Sequence, residues 1–138
     1  MPVYSLTSSK PIKDTHKEKL TNLVTDVHCG LTGATEQFVH VLFAENIPLI
    51  NGNELYIQAN VRSGRTKATV ADIRKQLVEK SAAILDIPIS KVSINLLEIQ
   101  PKWCMEGGYI MPEPGKEAEW FEKVNAALAE REQEQELA

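Results

Sequence analysis

At 138 residues, with 43% hydrophobic and 25% charged residues and a formal net charge of −4, the chain has the length of one domain, enough to bury roughly two thirds of its unfolded surface. The mildly acidic balance argues against nucleic acid as a partner, because domains that grip phosphate backbones carry a basic footprint. No apolar run approaches the roughly 20 residues that cross a bilayer, the polar amino-terminal segment is unlike a signal peptide, and the two cysteines, Cys29 and Cys104, make no disulfide framework; a cytoplasmic protein without membrane contact is expected.

The chain opens MPVYSL. From Val3 to Thr7 it alternates as a half-buried strand does, with Val3, Ser5 and Thr7 on one face and Tyr4 and Leu6 on the other. A helix follows, for which Asp14 or Thr15 can serve as cap. Its apolar residues Leu20, Leu23, Val24 and Val27 fall at i, i+3, i+4 and i+7, and Gly30 is placed to close it. QFVHVLFAE reads as a second strand, PLINGNE as a turn and ELYIQANV as a third strand. KATVADIRKQLVEKSAAIL has helical spacing through Val70, Ile73, Leu77 and Ile84, Pro88 stops it, and VSINLLEI is a fourth strand. From Lys116 onward a third helix is expected, packing through Trp120, Phe121, Val124 and Leu128 and fraying in its polar last turns.

Strand, helix, strand thus occurs twice, at an offset of about 50 residues. The expected architecture is α+β in two layers: a single domain over 1–138 in which tandem β-α-β units, 2–45 and 53–99, lay a four-stranded mixed sheet against two helices on one face. A loop and helix over 100–138 follow. The other sheet face would expose a half-apolar surface, so oligomerisation through it is expected.

Several residues carry chemistry. Removal of Met1 would leave Pro2 as a terminal secondary amine, a group that titrates near pH ~8 and serves as base or acid in proton transfer to carbon. Without that role Pro2 is a strand residue lacking a donor. Arg62 and Arg65, in VRSGRT, end the third strand, where two guanidinium forks can converge on one carboxylate; alone, such a pair is usually a solvated loop feature, but the third strand is expected beside the first, which carries the terminal amine. His28, in DVHCGLTG, either complements the helix C-terminus or donates to a substrate carbonyl or carboxylate oxygen. Glu106, in PKWCMEGGYIMPEPG, either is solvated or activates water, and Trp103 and Tyr109 either pack or wall a pocket. His16, His40, Cys29 and Cys104 lack the tight spacing of a zinc site, so no metal is expected, and Cys29 beside His28 shows no cause for a lowered thiol pKa. No glycine-rich phosphate loop appears, so no cofactor is implied.

MPVY, DVHCGLTG, VRSGRT, WCMEGG and PEPGKEAEWF, in this order over nearly the whole chain, resemble the tautomerase superfamily and within it the cis-3-chloroacrylic acid dehalogenase branch. The resemblance implies β-α-β units assembled as a homotrimer, with Pro2 as the catalytic amine. It also implies that Arg62 and Arg65 bind the substrate carboxylate, with His28 at the same end, and that Glu106 activates water. Those dehalogenases carry a tyrosine eleven residues before the glutamate, where this chain has Asn95; an amide lacks the phenol's acidity and reach. The expected activity is therefore proton transfer by Pro2 on small 2-oxo or α,β-unsaturated carboxylic acids, as a tautomerase or isomerase. The alternatives are a cofactor-independent hydratase or dehalogenase of 3-haloacrylate-type acids, a hydrolase using Glu106, and a non-catalytic protein-binding module.

Overall fold

Alternation along β1 (Val3–Ser8), an interior strand of the sheet, buries Tyr4, Leu6 and Ser8 on one face and leaves Val3, Ser5 and Thr7 half-buried on the other. The computed structural model describes residues 1–138, which gather into two compact units, Met1–Val61 with Arg65–Glu98, and Arg62–Gly64 with Ile99–Ala138.

The first unit contains the tandem repeat. β1 leads through α1 (Asp14–Thr32) to β2 (His40–Ala44), and β3 (Leu55–Arg62) leads through α2 (Lys67–Leu85) to β4 (Val92–Ile99). The strand order is β2-β1-β3-β4. β2 runs parallel to β1, with Tyr4 beside Val41, and β3 runs antiparallel to it, with Tyr4 beside Ala59. At the two ends of β3 and β4 the Glu54 N–H donates to the Lys91 carbonyl and the Ser63 N–H to the Ile99 carbonyl, the order found in strands of the same direction. Each parallel pair is joined by its helix, the crossover that parallel strands require. The sheet is therefore four-stranded and mixed, as the repeat implied.

α1 and α2 pack together and cover the sheet face that bears Tyr4, Leu6, Ile57, Ala59 and Val61. Leu20, Val24 and Val27 of α1 and Ile73 and Leu77 of α2 close the core. α2 and β4 begin and end where the periodicity put them. α1 runs three residues beyond the expected end: Gly30 lies inside the helix, and Gly33, at φ +73°, takes the left-handed conformation and bonds its N–H to the Cys29 carbonyl. β2 is shorter than QFVHVLFAE, because Glu36–Phe38 coil into a 3-10 turn before the parallel ladder starts at His40.

The uncovered face differs from expectation. It presents Ser5, Thr7, Tyr56, Gln58, Asn60, Ser93 and Asn95, and a ladder of side-chain bonds runs from Tyr56 Oη to Gln58 Oε1 at 2.6 Å and from Gln58 Nε2 to Asn60 Oδ1 at 3.0 Å. Alternation has sent the large apolar side chains to the helical side, leaving Leu42 and Leu97 as the exposed apolar residues of these strands.

The second unit holds a 3-10 turn at Pro101–Trp103, a hairpin of β5 (Met105–Glu106) and β6 (Tyr109–Ile110), and α3 (Glu117–Leu137). Gly107 and Gly108 both have positive φ, +58° and +86°, which the two-residue turn between paired strands demands. α3 rests on a half-buried stripe of Trp120, Phe121, Val124 and Ala127. The Trp120 indole donates to the Ile110 carbonyl at 2.6 Å and its ring meets Phe121 edge-on at 5.1 Å. Leu128, expected in that stripe, is 43% exposed, because the turns beyond Ala127 have no surface under them. No helix is long and apolar enough to cross a membrane.

Candidate active site

In the first unit the polar residues of interest gather where β1 begins. Pro2 is buried and its carbonyl accepts from the His40 N–H at 3.1 Å, the first rung between β1 and β2. Two residues on, and therefore on the same strand face, Tyr4 is fully buried and its hydroxyl lies 2.8 Å from His28 Nδ1. The rings meet edge-on, centroids 5.7 Å apart and planes at 76°. His28 is itself 1% exposed: it sits one turn before the end of α1, on the side facing the sheet, in step with Leu20, Val24 and Val27.

Arg65 is half-buried in the turn between β3 and α2. The next residue, Thr66, caps α2, its hydroxyl accepting from the Thr69 N–H at 3.1 Å, so the arginine is anchored at a helix start. Burial pushes the Tyr4 phenol well above its ordinary range; the Arg65 guanidinium opposes that rise without overcoming it, and Cys29 adds to it. Tyr4 is accordingly a neutral phenol at every physiological pH, sitting within the field of a cation.

Cys29, half-buried beside His28, has its thiol pushed up by burial and by the carboxylates of Glu36 and Asp26; it is not an activated nucleophile. His40 is exposed at the head of β2. His16 lines a shallow cleft of about 410 Å³ with Lys10, Glu54 and Asp86, at the end of β1 remote from Pro2. Asn95 is exposed on the uncovered sheet face and donates to Gln58 Oε1 at 3.1 Å.

In the second unit, Arg62 is 5% exposed. Its Nη1 donates to the Pro112 carbonyl at 2.6 Å and its Nη2 to Glu117 Oε1 at 2.8 Å. Burial acts to raise the Glu117 carboxyl, but the hydrogen bond from Arg62, backbone N–H groups and the attraction of the guanidinium outweigh it, and the carboxyl lies below its ordinary range. Glu106 is half-buried on β5, opposite Tyr109 on β6. Trp103 is 71% exposed. Cys104 is buried, its thiol pushed up by that burial.

Two residues gain a place that the sequence did not suggest. Tyr4 read only as a core strand residue, although its parity with Pro2 was visible. Glu117 read only as part of a helix start, although its spacing from Trp120 put both on the packed side of α3.

No family model and no curated protein matches the sequence. Solved structures do resemble it. The crystal structure of N1, a member of the cis-3-chloroacrylic acid dehalogenase (cis-CaaD) family, is 29% identical, with a TM-score of 0.81, and the match covers 94% of this chain and 96% of that one. Native Ps01740 is 25% identical with a TM-score of 0.70, covering 75% of this chain and 99% of its own. A fused 4-OT, solved as an asymmetric trimer, is 24% identical with a TM-score of 0.71, covering 78% and 94%.

Proposed function

From a chain of the tautomerase superfamily, similar to that superfamily's cis-3-chloroacrylic acid dehalogenase branch, we propose that this protein is a cofactor-independent tautomerase of small 2-oxo or α,β-unsaturated carboxylic acids. Its base in this reading is the secondary amine of Pro2 after loss of Met1. The observation that carries the reading is the buried polar cluster at the head of β1: a fully buried tyrosine, in the field of Arg65 and two residues along the strand from Pro2, bonded to a histidine that is 1% exposed. Burying such groups costs free energy unless they are paired, and perturbed polar groups of this kind concentrate at functional sites.

In the mechanism, neutral Pro2 takes the proton from the enol hydroxyl or α-carbon and returns it at the other end of the conjugated system. Arg65 holds the substrate carboxylate and fixes the reacting carbon against the amine. His28 donates to the oxygen on which charge develops.

The competing reading is hydration or dehalogenation, in which a cationic Pro2 donates a proton while Glu106 drives water onto the β-carbon. Asn95 weighs against it. It offers an amide, bonded to Gln58, where the dehalogenases have a phenol. The reading also takes the chain to be a homotrimer; the fused 4-OT is a trimer, and the uncovered sheet face offers a ladder of amides for pairing with copies of itself.

The test uses protein whose intact mass verifies removal of Met1. Ketonisation of phenylenolpyruvate is followed beside turnover of cis-3-chloroacrylate and propiolate. Pro2→Ala is expected to lower ketonisation by about 10²–10⁴-fold, the usual worth of a positioned base, and Arg65→Ala to lower kcat/KM by roughly 10–100-fold. Turnover of the unsaturated acids that is lost in Glu106→Gln would replace the tautomerase by the hydratase reading. Absence of any Pro2-dependent turnover would leave the fold as a binding module.

A further inference from the structure

The bond between Tyr4 and His28 can be drawn in two ways. Either the phenol hydroxyl donates to Nδ1, or a hydrogen on Nδ1 donates to the phenol oxygen. The choice decides which face of the imidazole acts on anything beyond it, because the two ring nitrogens point in different directions.

Burial resolves it. Tyr4 is 0% exposed, so its hydroxyl hydrogen has no water to meet, and His28 Nδ1, at 2.8 Å, is the acceptor the structure gives it. Were Nδ1 the donor, the phenol hydrogen would be a buried donor without an acceptor, an arrangement that folded proteins avoid.

We infer that Tyr4 is a positioning residue that fixes the tautomer of His28, holding Nδ1 as an acceptor so that the neutral ring carries its hydrogen on Nε2. The ring then presents an N–H and no base. Its catalytic meaning rests on the proposed function: with His28 confined to donation toward a carboxylate or carbonyl oxygen, proton abstraction falls to Pro2 alone. The edge-on packing at 76° supports the same role, since it braces the imidazole against flipping and keeps Nδ1 toward the hydroxyl.

The tautomer is read without turnover. Long-range ¹⁵N–¹H NMR on uniformly labelled wild-type protein at about pH 8, above the ordinary histidine pKa of ~6.5, is expected to show one His28 tautomer. Nε2 should be protonated, and Nδ1 unprotonated and shifted as a hydrogen-bonded acceptor. In Tyr4→Phe the Nδ1 resonance should move off that position, toward a free acceptor or an average of both tautomers. A wild-type ring with its hydrogen on Nδ1, or an averaged one, overturns the inference even if Tyr4→Phe fails to fold; so does an Nδ1 resonance unmoved in a folded Tyr4→Phe. A protein that shows the fixed tautomer and no turnover refutes the proposed function and leaves the tyrosine's role intact.

Discussion

Arg62 shows what a single buried charge demands. At 5% exposure its guanidinium has given up most of its water and has the Pro112 carbonyl and the Glu117 carboxylate instead. Only a planar fork reaches both at once, so Arg62→Lys is not conservative here. The carboxylate side is softer, because the Glu117 side chain is 40% exposed and solvent screens it. Glu117→Gln is therefore expected to cost about 1 kcal/mol in urea unfolding near neutral pH. Its pH dependence has a definite sign. The folded carboxyl titrates below its ordinary value of 4.5, so the stabilisation is complete above that value and is lost as pH falls through the lower folded pKa. The gap between wild type and Glu117→Gln should be widest at neutral pH and should shrink as pH falls below the ordinary carboxylate range; a gap that stays constant would mean the carboxylate's charge contributes nothing.

At the scale of the element, α1 offers a pair of substitutions of opposite sign. Gly30 lies inside the helix, exposed, with nothing within 4 Å of a methyl group placed on it. Gly30→Ala should stabilise by about 0.5–1 kcal/mol through helix propensity alone. Gly33 also has open space around it, but its φ of +73° strains any side chain, so Gly33→Ala should destabilise by roughly 1 kcal/mol. Thermal unfolding of the two variants separates them; equal signs would mean that the helix ends elsewhere. On the neighbouring helix, Thr66→Ala removes the hydroxyl that caps α2 and should cost about 1 kcal/mol, with a rise in KM if Arg65 beside it holds the substrate. The far end of α3 is the contrasting case. Glu130, Glu132, Glu134 and Glu136 crowd a helix C-terminus, where the dipole disfavours anions, and every residue from Leu128 onward is exposed. Deleting 130–138 should leave the melting temperature nearly unchanged, and these amides should exchange fastest of any helix.

At the scale of the whole molecule, the proposed homotrimer is tested at the sheet's uncovered face. Its amide and hydroxyl ladder suits close pairing with an identical surface better than association with a lipid or a greasy partner. Sedimentation equilibrium is expected to give three times the 15.4 kDa chain mass, and Gln58→Arg, which puts a charge into the middle of the ladder, should shift the population to monomer. A wild-type monomer would remove the homotrimer from the proposal. What the sequence by itself determined was whatever depends on near neighbours along the chain. The 3.6-residue and two-residue rhythms marked α2 and β4 to the residue and paired Tyr4 with Leu6 on one face, because backbone geometry alone dictates which side chains share a side. Only the tertiary structure decided the rest. Gly33 rather than Gly30 ends α1 since either could adopt the cap and packing sets the length; the open face turned out polar because alternation says which residues travel together, not which face the helices will cover. Tyr4 meets His28 across 24 residues and Arg62 meets Glu117 across 55, partnerships that depend on strand register and helix placement and leave no periodic trace in the chain.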